Sequence, residues 1–311
     1  MPSGLRIAPL LSPSCSTRLR SAEVASTGEL SAMRRAIAIS AQGLGSTSPN
    51  PPVGCVILDS DGRMVSEGYH VRKGEAHAEF NALTAAGKLA DGGTALVTLE
   101  PCNHHGRTPP CREALINAKV ARVVIAVMDP TSRGEGGAAL LRKAGVQVEQ
   151  DVLRDEALLV LGPWLDSVRS DRPFVTWIFE AGPPHGRCAV IRHENLRESH
   201  DLVVRPDGEI TEGRPGNHGR GVFHVPSSLG GTAVETLGVL RESGARSILL
   251  EGLSSCADVL SAAGAVDQVV VYLPDTPHSW APPGQVTAIP DGYRLTAATR
   301  DGDHVRLVGR R

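Results

Sequence analysis

Three potential metal ligands, His77, Cys102 and Cys111, lie near points where the sequence pattern changes between strand and helix. His77 precedes a helical pattern that predicts a helix over 78–89, and Cys111 precedes a second one over 112–119. Cys102 follows directly after an apolar, strand-like run. For the three side chains to meet, the fold must bring these connections together, which is a strong restriction on its topology.

Strands and helices alternate through the first half of the chain. The patterns predict strands at 53–59, 64–69, 94–99, 120–127 and 146–149, and helices at 32–43, 78–89, 112–119 and 137–143. Such alternation implies an α/β fold, in which helices cover the faces of a sheet. A helical bridge over 153–168 and the polar run Arg169–Arg172 then precede Pro173. We therefore predict one domain over 31–170 and a second over 171–311.

The second half carries fewer signals. Buried strands are predicted at 174–179, 245–251 and 267–273, with one helix at 233–243. The stretch 180–232 is rich in Gly, Pro, His and Arg and has little periodicity. The prediction is a small and irregular second domain.

Residues 1–30 are rich in Ser and Arg and poor in apolar runs, so a disordered tail is predicted there, or a natural start at Met33. The net charge of −2 and the 3% of aromatic residues argue against a nucleic-acid partner. No run approaches the roughly 20 apolar residues that span a bilayer, so no membrane partner is expected. Six scattered cysteines do not indicate a disulfide framework. A small-molecule substrate and a cytoplasmic location are predicted.

One imidazole and two thiolates form a ligand set that suits Zn²⁺. Three protein ligands leave a fourth position for water, as in catalytic rather than structural zinc sites. Glu79 lies two residues after His77, where its carboxylate can exchange protons with such a water. A His-x-Glu motif followed by Pro-Cys and a second cysteine is typical of zinc deaminases. The interpretation is hydrolytic removal of an exocyclic amine from a pyrimidine-like ring.

Nucleoside and RNA deaminases keep two residues between the paired cysteines, whereas here eight intervene, over 103–110. This insert, together with Thr47-Ser-Pro-Asn-Pro-Pro-Val-Gly54 and Gly68-Tyr-His70, closely resembles the deaminase domain of the bifunctional riboflavin-biosynthesis deaminase/reductase family. The resemblance covers residues 33–170 almost continuously. It implies a cytidine-deaminase-like domain of three layers.

The resemblance also implies a substrate, diaminohydroxyphosphoribosylaminopyrimidine, whose ring amine is exchanged for oxygen. It carries over four substrate contacts, namely Asn50, His70, His104 and Arg107, beside zinc ligands at His77, Cys102 and Cys111 and the catalytic Glu79. Arg107 stands where this family often has lysine, and its forked guanidinium suits phosphate.

The second half resembles a reduced form of the family's dihydrofolate-reductase-like α/β domain, which uses NADPH. Arg172–Thr176 resembles the opening strand, and Gly244–Gly252 resembles a late strand and turn. However, Gly182–Arg187 replaces the expected Ser-Leu-Asp-Gly-Lys-like run, and Leu253 replaces an expected glycine. We therefore predict a degenerate reductase without an NADPH site, retained for packing or for assembly of a homo-oligomer, expected to be a dimer.

Three alternatives stay open. The chain could deaminate a different base, free or in RNA; it could be a scaffold with a relict zinc site; or it could be fully bifunctional and use NADPH. The eight-residue insert and the low positive charge count against RNA. The intact Glu79 counts against a scaffold, because a structural site has no use for a proton carrier.

Overall fold

The computed structural model of the chain describes residues 24–104, 109–181, 194–216, 223–274 and 289–311. These residues form two β-sheets, one of five and one of seven strands, each with its own helices. No helix within these ranges is both long enough and apolar enough to cross a membrane.

The first sheet has the strand order β2-β1-β3-β4-β5. Its strands are β1 (Gly54–Leu58), β2 (Met64–Tyr69), β3 (Thr94–Leu99), β4 (Arg122–Val127) and β5 (Gln147–Glu149). Strand β1 pairs antiparallel with β2 and β3, whereas β3, β4 and β5 are parallel. Parallel neighbours end at the same edge, so the segments that follow β3 and β4 lie side by side.

Five α-helices accompany this sheet: α1 (Thr27–Ser40), α2 (Ala78–Ala86), α3 (Cys111–Asn117), α4 (Gly136–Lys143) and α5 (Arg154–Ser170). Helices α1 and α5 contact each other, and α2, α3 and α4 contact one another in series. A methyl group added to Gly54 would lie 2.1 Å from the carbonyl oxygen of Ala36 in α1, and one added to Gly68 would lie 2.5 Å from the amide nitrogen of Ala82 in α2. Only glycine permits such close packing. The predicted three-layer arrangement is confirmed.

Helix α1 begins earlier than the sequence suggested. Ser26 and Glu29 form a capping box, in which the Glu29 amide donates to Ser26 Oγ (3.2 Å) and the Ser26 amide donates to Glu29 Oε2 (2.8 Å). Arg122 Nε also donates to Glu29 Oε1 over 2.7 Å. Residues 24–30 therefore belong to the fold and not to a disordered tail. The polar residues Ser26 and Glu29, which resemble a tail in the sequence, cap this helix. Residues 1–23 lie outside the described ranges.

The second sheet has the strand order β11-β12-β10-β6-β9-β7-β8. Its strands are β6 (Phe174–Glu180), β7 (Leu202–Val204), β8 (Ile210–Glu212), β9 (Ser247–Glu251), β10 (Gln268–Pro274), β11 (Arg294–Asp301) and β12 (His304–Arg310). The helices of this half are α6 (Glu194–Glu198), α7 (Ala233–Glu242) and α8 (Ser255–Ala262). The four central strands β10, β6, β9 and β7 are parallel, and antiparallel strands flank them.

The expectation of a small and irregular second domain was wrong, because four of these seven strands were not predicted. Strands β7 and β8 have three residues each, too few for a periodic signal. All eight residues of β11 are exposed, so that strand lacks the alternation of buried and exposed positions. Helix α8 was not predicted either, although the sequence carries a local signal for it: Ser254 caps the helix and accepts a hydrogen bond from the Ala257 amide over 3.2 Å.

The two halves meet at the amino ends of the central strands of the second sheet. Asp201, which is 1% exposed and directly precedes β7, accepts a hydrogen bond on Oδ2 from Ser48 Oγ of the first half (2.7 Å). The same oxygen accepts from the backbone amides of Arg246 (2.7 Å) and Ser247 (3.0 Å), at the start of β9. One buried carboxylate therefore connects the loop before Asn50 with the start of β9. The carboxyl ends of the parallel strands lie at the opposite edge.

Candidate active site

His77, Cys102 and Cys111 come together at the starts of two helices and the end of one strand. His77 is the residue before α2, Cys111 is the first residue of α3, and Cys102 follows β3. Their ligand atoms all lie within 4.8 Å of one another. His77 Nδ1 is 3.3 Å from Cys111 Sγ and 3.7 Å from Cys102 Sγ, so one ring nitrogen faces both sulfurs. The spacing along the sequence predicted this convergence.

The surroundings of Cys102 favour its thiolate form. Hydrogen bonds from the Cys111 side chain and from His77, together with the Cys111 backbone amide at 3.3 Å from Sγ, lower the pKa of Cys102 to about 4. The hydrogen bond to Cys102 raises the pKa of His77, and Cys102 together with burial raises that of Cys111 well above its usual value. A thiolate, a second sulfur and an imidazole nitrogen around one point form a donor set that fits Zn²⁺, which binds such ligands tetrahedrally.

Glu79 lies in the first turn of α2, two residues after His77, and is 3% exposed. Burial, together with the negative charge of Cys102, raises the pKa of its carboxyl group. A carboxyl group with a raised pKa gains and loses a proton closer to neutral pH than an exposed one does. The position and environment of Glu79 suit a group that carries protons next to the cluster.

Asn50 and His70 form a hydrogen-bonded pair beside the cluster. His70 Nδ1 is 3.1 Å from the Ala76 carbonyl oxygen, which can only accept, so Nδ1 carries the ring hydrogen. His70 Nε2 then accepts from Asn50 Nδ2 over 3.2 Å. Burial lowers the pKa of His70, which keeps the ring neutral and Nε2 an acceptor. Both nitrogens of His70 therefore have protein partners, and the Asn50 amide is held in one orientation.

A cavity of about 270 Å³ opens onto these residues. Six of the eight predicted site residues line it: Asn50, His70, His77, Glu79, Cys102 and His104. Cys111 belongs to the same ligand cluster as His77 and Cys102 but does not itself line the cavity. Arg107 lies outside the described residues. Apart from Arg107, the residues selected from the sequence meet in one place.

Several lining residues were not predicted. They are Pro49, Pro51, Val53, Leu99, Glu100, Asp129, Thr131, Trp164, Val168 and Arg246. Glu100 and Asp129 follow β3 and β4, and their position at the shared carboxyl edge could have identified them. Trp164 is fixed by a hydrogen bond from Nε1 to the Pro49 carbonyl oxygen (3.1 Å). Arg246 comes from the second half, and nothing in the local sequence indicates that it reaches this cavity.

The comparisons with known proteins agree with this geometry. Residues 27–127 match the family model for the cytidine and deoxycytidylate deaminase zinc-binding region. The chain is 49% identical over 144 residues to the riboflavin biosynthesis protein RibD of Escherichia coli, a match that covers 46% of this chain and 39% of that protein. The chain thus spans about two fifths of the length of that relative.

A shorter relative is covered almost completely. The diaminohydroxyphosphoribosylamino-pyrimidine deaminase of Buchnera aphidicola is 48% identical over 126 residues, which are 40% of this chain and 85% of that protein. The solved deaminase/reductase structure from Thermotoga maritima aligns with 91% of this chain and 98% of its own, at a TM-score of 0.74 and 24% identity. That alignment shows a shared fold across both halves. Through its first half, the chain belongs to the riboflavin-biosynthesis deaminase family.

Proposed function

We propose that the chain hydrolyses the ring amine of diaminohydroxyphosphoribosylaminopyrimidine, using zinc held by His77, Cys102 and Cys111. The observation that carries this proposal is the convergence of the three ligands and the buried Glu79 on one cavity. The identity of the substrate is inferred from that of the Buchnera relative, a diaminohydroxyphosphoribosylamino-pyrimidine deaminase that is 48% identical over 126 residues.

His77 and the two cysteines would bind the metal through Nδ1 and their sulfurs. The low pKa of Cys102 favours metal binding at neutral pH, because the thiolate is the form that coordinates. When bound, zinc supplies the Lewis acidity that makes a water molecule nucleophilic at neutral pH. The remaining steps depend on side chains of the protein.

Glu79 would move the proton. Its carboxylate takes a proton from the attacking water as the oxygen bonds to the amine-bearing ring carbon. Glu79 then gives that proton to the nitrogen as the carbon–nitrogen bond breaks, and ammonia leaves. The raised pKa suits both roles, since one group must first accept and then donate.

Asn50 would contact the pyrimidine ring directly. Because one amide hydrogen goes to His70, its Oδ1 is left as an oriented acceptor for a ring N–H donor. His70 would act through Asn50 rather than through a direct substrate contact, since both of its nitrogens have protein partners. His104, which lines the cavity, and Arg107 are proposed as further substrate contacts.

The experiment that tests this function is incubation of the purified protein with diaminohydroxyphosphoribosylaminopyrimidine. Ammonia release and the mass of the product are measured together, with the Glu79→Gln variant as the inactive control. We expect one ammonia per converted substrate and a product in which oxygen replaces the amine. Absence of ammonia from the zinc-loaded protein would refute the proposal.

We also propose that the domains divide at residues 170/171 and that the second has lost its reductase reaction. The division is supported by separate hydrophobic cores on its two sides: one before it with Leu161 and Leu165, and two after it, one of them with Val175 and Trp177. The loss is supported by Leu253, 65% exposed in the turn between β9 and α8, where glycine would let a phosphate approach the backbone. Gly182–Arg187 lies outside the described residues.

A further inference from the structure

Arg246 of the second half reaches the cavity that holds the deaminase residues. It lies directly before β9, whereas all the other described lining residues come from the first half. Among the lining residues that the structure describes, it is the single arginine or lysine. The second half therefore contributes a permanent positive charge to a cavity that otherwise belongs to the first half.

The guanidinium of Arg246 has no protein acceptor within the described part of the chain. Its Nε is fully buried and lacks a hydrogen-bond partner. The nearby acids of the cavity have other partners: Glu100 Oε1 accepts from the Ala138 amide (3.0 Å), and Asp129 Oδ1 from Thr131 (2.8 Å). A buried donor without a partner is unfavourable, so such a group needs an explanation. An anion in the cavity would offer acceptors to the terminal nitrogens of this guanidinium, for which no protein acceptor is described.

The backbone of Arg246 is nevertheless firmly held. Its amide donates to Asp201 Oδ2 over 2.7 Å, and its carbonyl oxygen accepts from the Phe174 amide over 2.8 Å. Asp201 Oδ2 also accepts from Ser48, two residues before Asn50. The same carboxylate thus fixes both Arg246 and the loop that carries the proposed ring contact. Only the end of the Arg246 side chain is left for a ligand.

We propose that Arg246 binds the phosphate of the substrate, so that the second half completes substrate recognition in the deaminase cavity. This inference rests on the proposed function and deepens it. The ring would lie near Asn50 and the zinc ligands, and the phosphoribosyl group would extend toward the second half. Arginine suits this role, because its planar fork donates two hydrogen bonds to phosphate. The second sheet would then be required for deamination even without chemistry of its own.

The test compares Arg246→Ala, Arg246→Lys and the control Arg241→Ala on the phosphorylated substrate and on its dephosphorylated form. Arg241 is a nearby cation of the same half that pairs with Asp171; it lines a neighbouring cavity together with Arg246 but does not line the deaminase cavity, so it controls for a general loss of positive charge. We expect Arg246→Ala to lower kcat/KM for the phosphorylated form by roughly 10- to 100-fold, mainly through KM, and to change the dephosphorylated form little. Arg246→Lys should lose less, and Arg241→Ala should match wild type.

A purely structural role for Arg246 would give a different result. Equal losses on both forms, or no loss on either, would overturn the inference. Calorimetric titration with ribose 5-phosphate measures anion binding without turnover, so it decides the question even if wild type releases no ammonia. Arg246→Ala should weaken that binding at least about tenfold, and Arg241→Ala should not. Equal binding by wild type and Arg246→Ala, or no binding by wild type, would contradict the proposal.

Discussion

Asn50 Nδ2 donates a hydrogen bond to His70 Nε2 over 3.2 Å, and this contact sets the direction in which the Asn50 carbonyl oxygen points. The His70 ring is itself held in place, because its Nδ1 donates to the Ala76 carbonyl oxygen over 3.1 Å. A chain of two hydrogen bonds therefore leads from the backbone before His77 to the amide proposed to contact the ring. His70 is a positioning residue in this arrangement.

A double-mutant cycle tests that relationship. Asn50→Ala should lower kcat/KM by roughly 5- to 150-fold, the equivalent of a hydrogen bond of about 1–3 kcal/mol. His70→Ala should cost less, and the double variant should be no worse than Asn50→Ala, because His70 acts through Asn50. His70→Gln, which can still accept from Asn50, should retain more activity than His70→Ala. Multiplicative losses in the double variant would show that His70 contacts the substrate itself.

The zinc content of the protein should depend on the cluster of His77, Cys102 and Cys111. The purified protein should carry about one zinc per chain, and Cys102→Ser or Cys111→Ser should lose most of it. Cys256→Ser is the matched control, since Cys256 is a free, partly buried cysteine of the second half, outside the cluster. Elemental analysis gives the metal-to-protein ratio. Full zinc retention in both cluster variants would remove these cysteines from the metal site.

The Glu79→Gln variant separates metal binding from proton transfer. It should keep its zinc, because Glu79 is not one of the three proposed ligands. Turnover should fall by about 10²–10⁴, the usual contribution of general acid–base catalysis. Ammonia release is measured beside elemental analysis of the same preparation. Near-normal turnover would exclude Glu79 from the mechanism.

The stability of the folded chain should decline in mild acid through His200. Burial lowers its pKa below the usual 6.5, and the neutral ring donates through Nδ1 to Leu196 (2.8 Å) while Nε2 accepts from Thr176 (3.0 Å). As pH falls, the histidine of the unfolded chain takes up a proton before the buried ring does. The stabilisation that the neutral His200 ring provides is therefore fully present above about pH 6.5. It is lost as pH falls toward the lowered value, by up to about 1.4 kcal/mol per pH unit.

The measurement is the free energy of unfolding in urea, from about pH 7.5 to about pH 5.5. His200→Gln cannot take up this proton, so its stability should decline less steeply with falling pH than that of wild type. The other histidines contribute to both proteins and cancel in the comparison. Parallel curves would show that His200 does not couple folding to pH.

The proposed loss of the reductase reaction predicts that the protein does not bind NADPH. Calorimetry with the full chain should show no heat of binding at physiological NADPH concentrations. Absorbance at the NADPH band should not change when the deaminated product is added. Leu253→Gly alone should not restore binding, because Gly182–Arg187 also replaces the expected Ser-Leu-Asp-Gly-Lys-like run. Tight binding with product-dependent oxidation would restore the bifunctional interpretation.

The sequence predicted the site better than the second domain, for physical reasons. Metal ligands need particular residue types at particular turns, and His77, Cys102 and Cys111 carry that pattern locally. The buried strands β3 and β4 consist mostly of apolar residues, so the central strands of the first sheet could also be predicted from the sequence. In contrast, β11 is fully exposed and β7 is three residues long, so neither has a periodic signal. Arg246 could not be found, because its role depends on the packing of two halves.

Strand β9 separates the sites of two proposed or ancestral functions along its own length. Arg246, at its amino end, reaches the deaminase cavity, while Gly252 and Leu253 follow its carboxyl end. Gly252 is six residues after Arg246, or about 20 Å along an extended strand. Mutations at the carboxyl end can therefore accumulate without disturbing the deaminase. Natural selection on deamination alone would preserve the amino edge of this sheet and its supporting core while leaving the far edge free to drift.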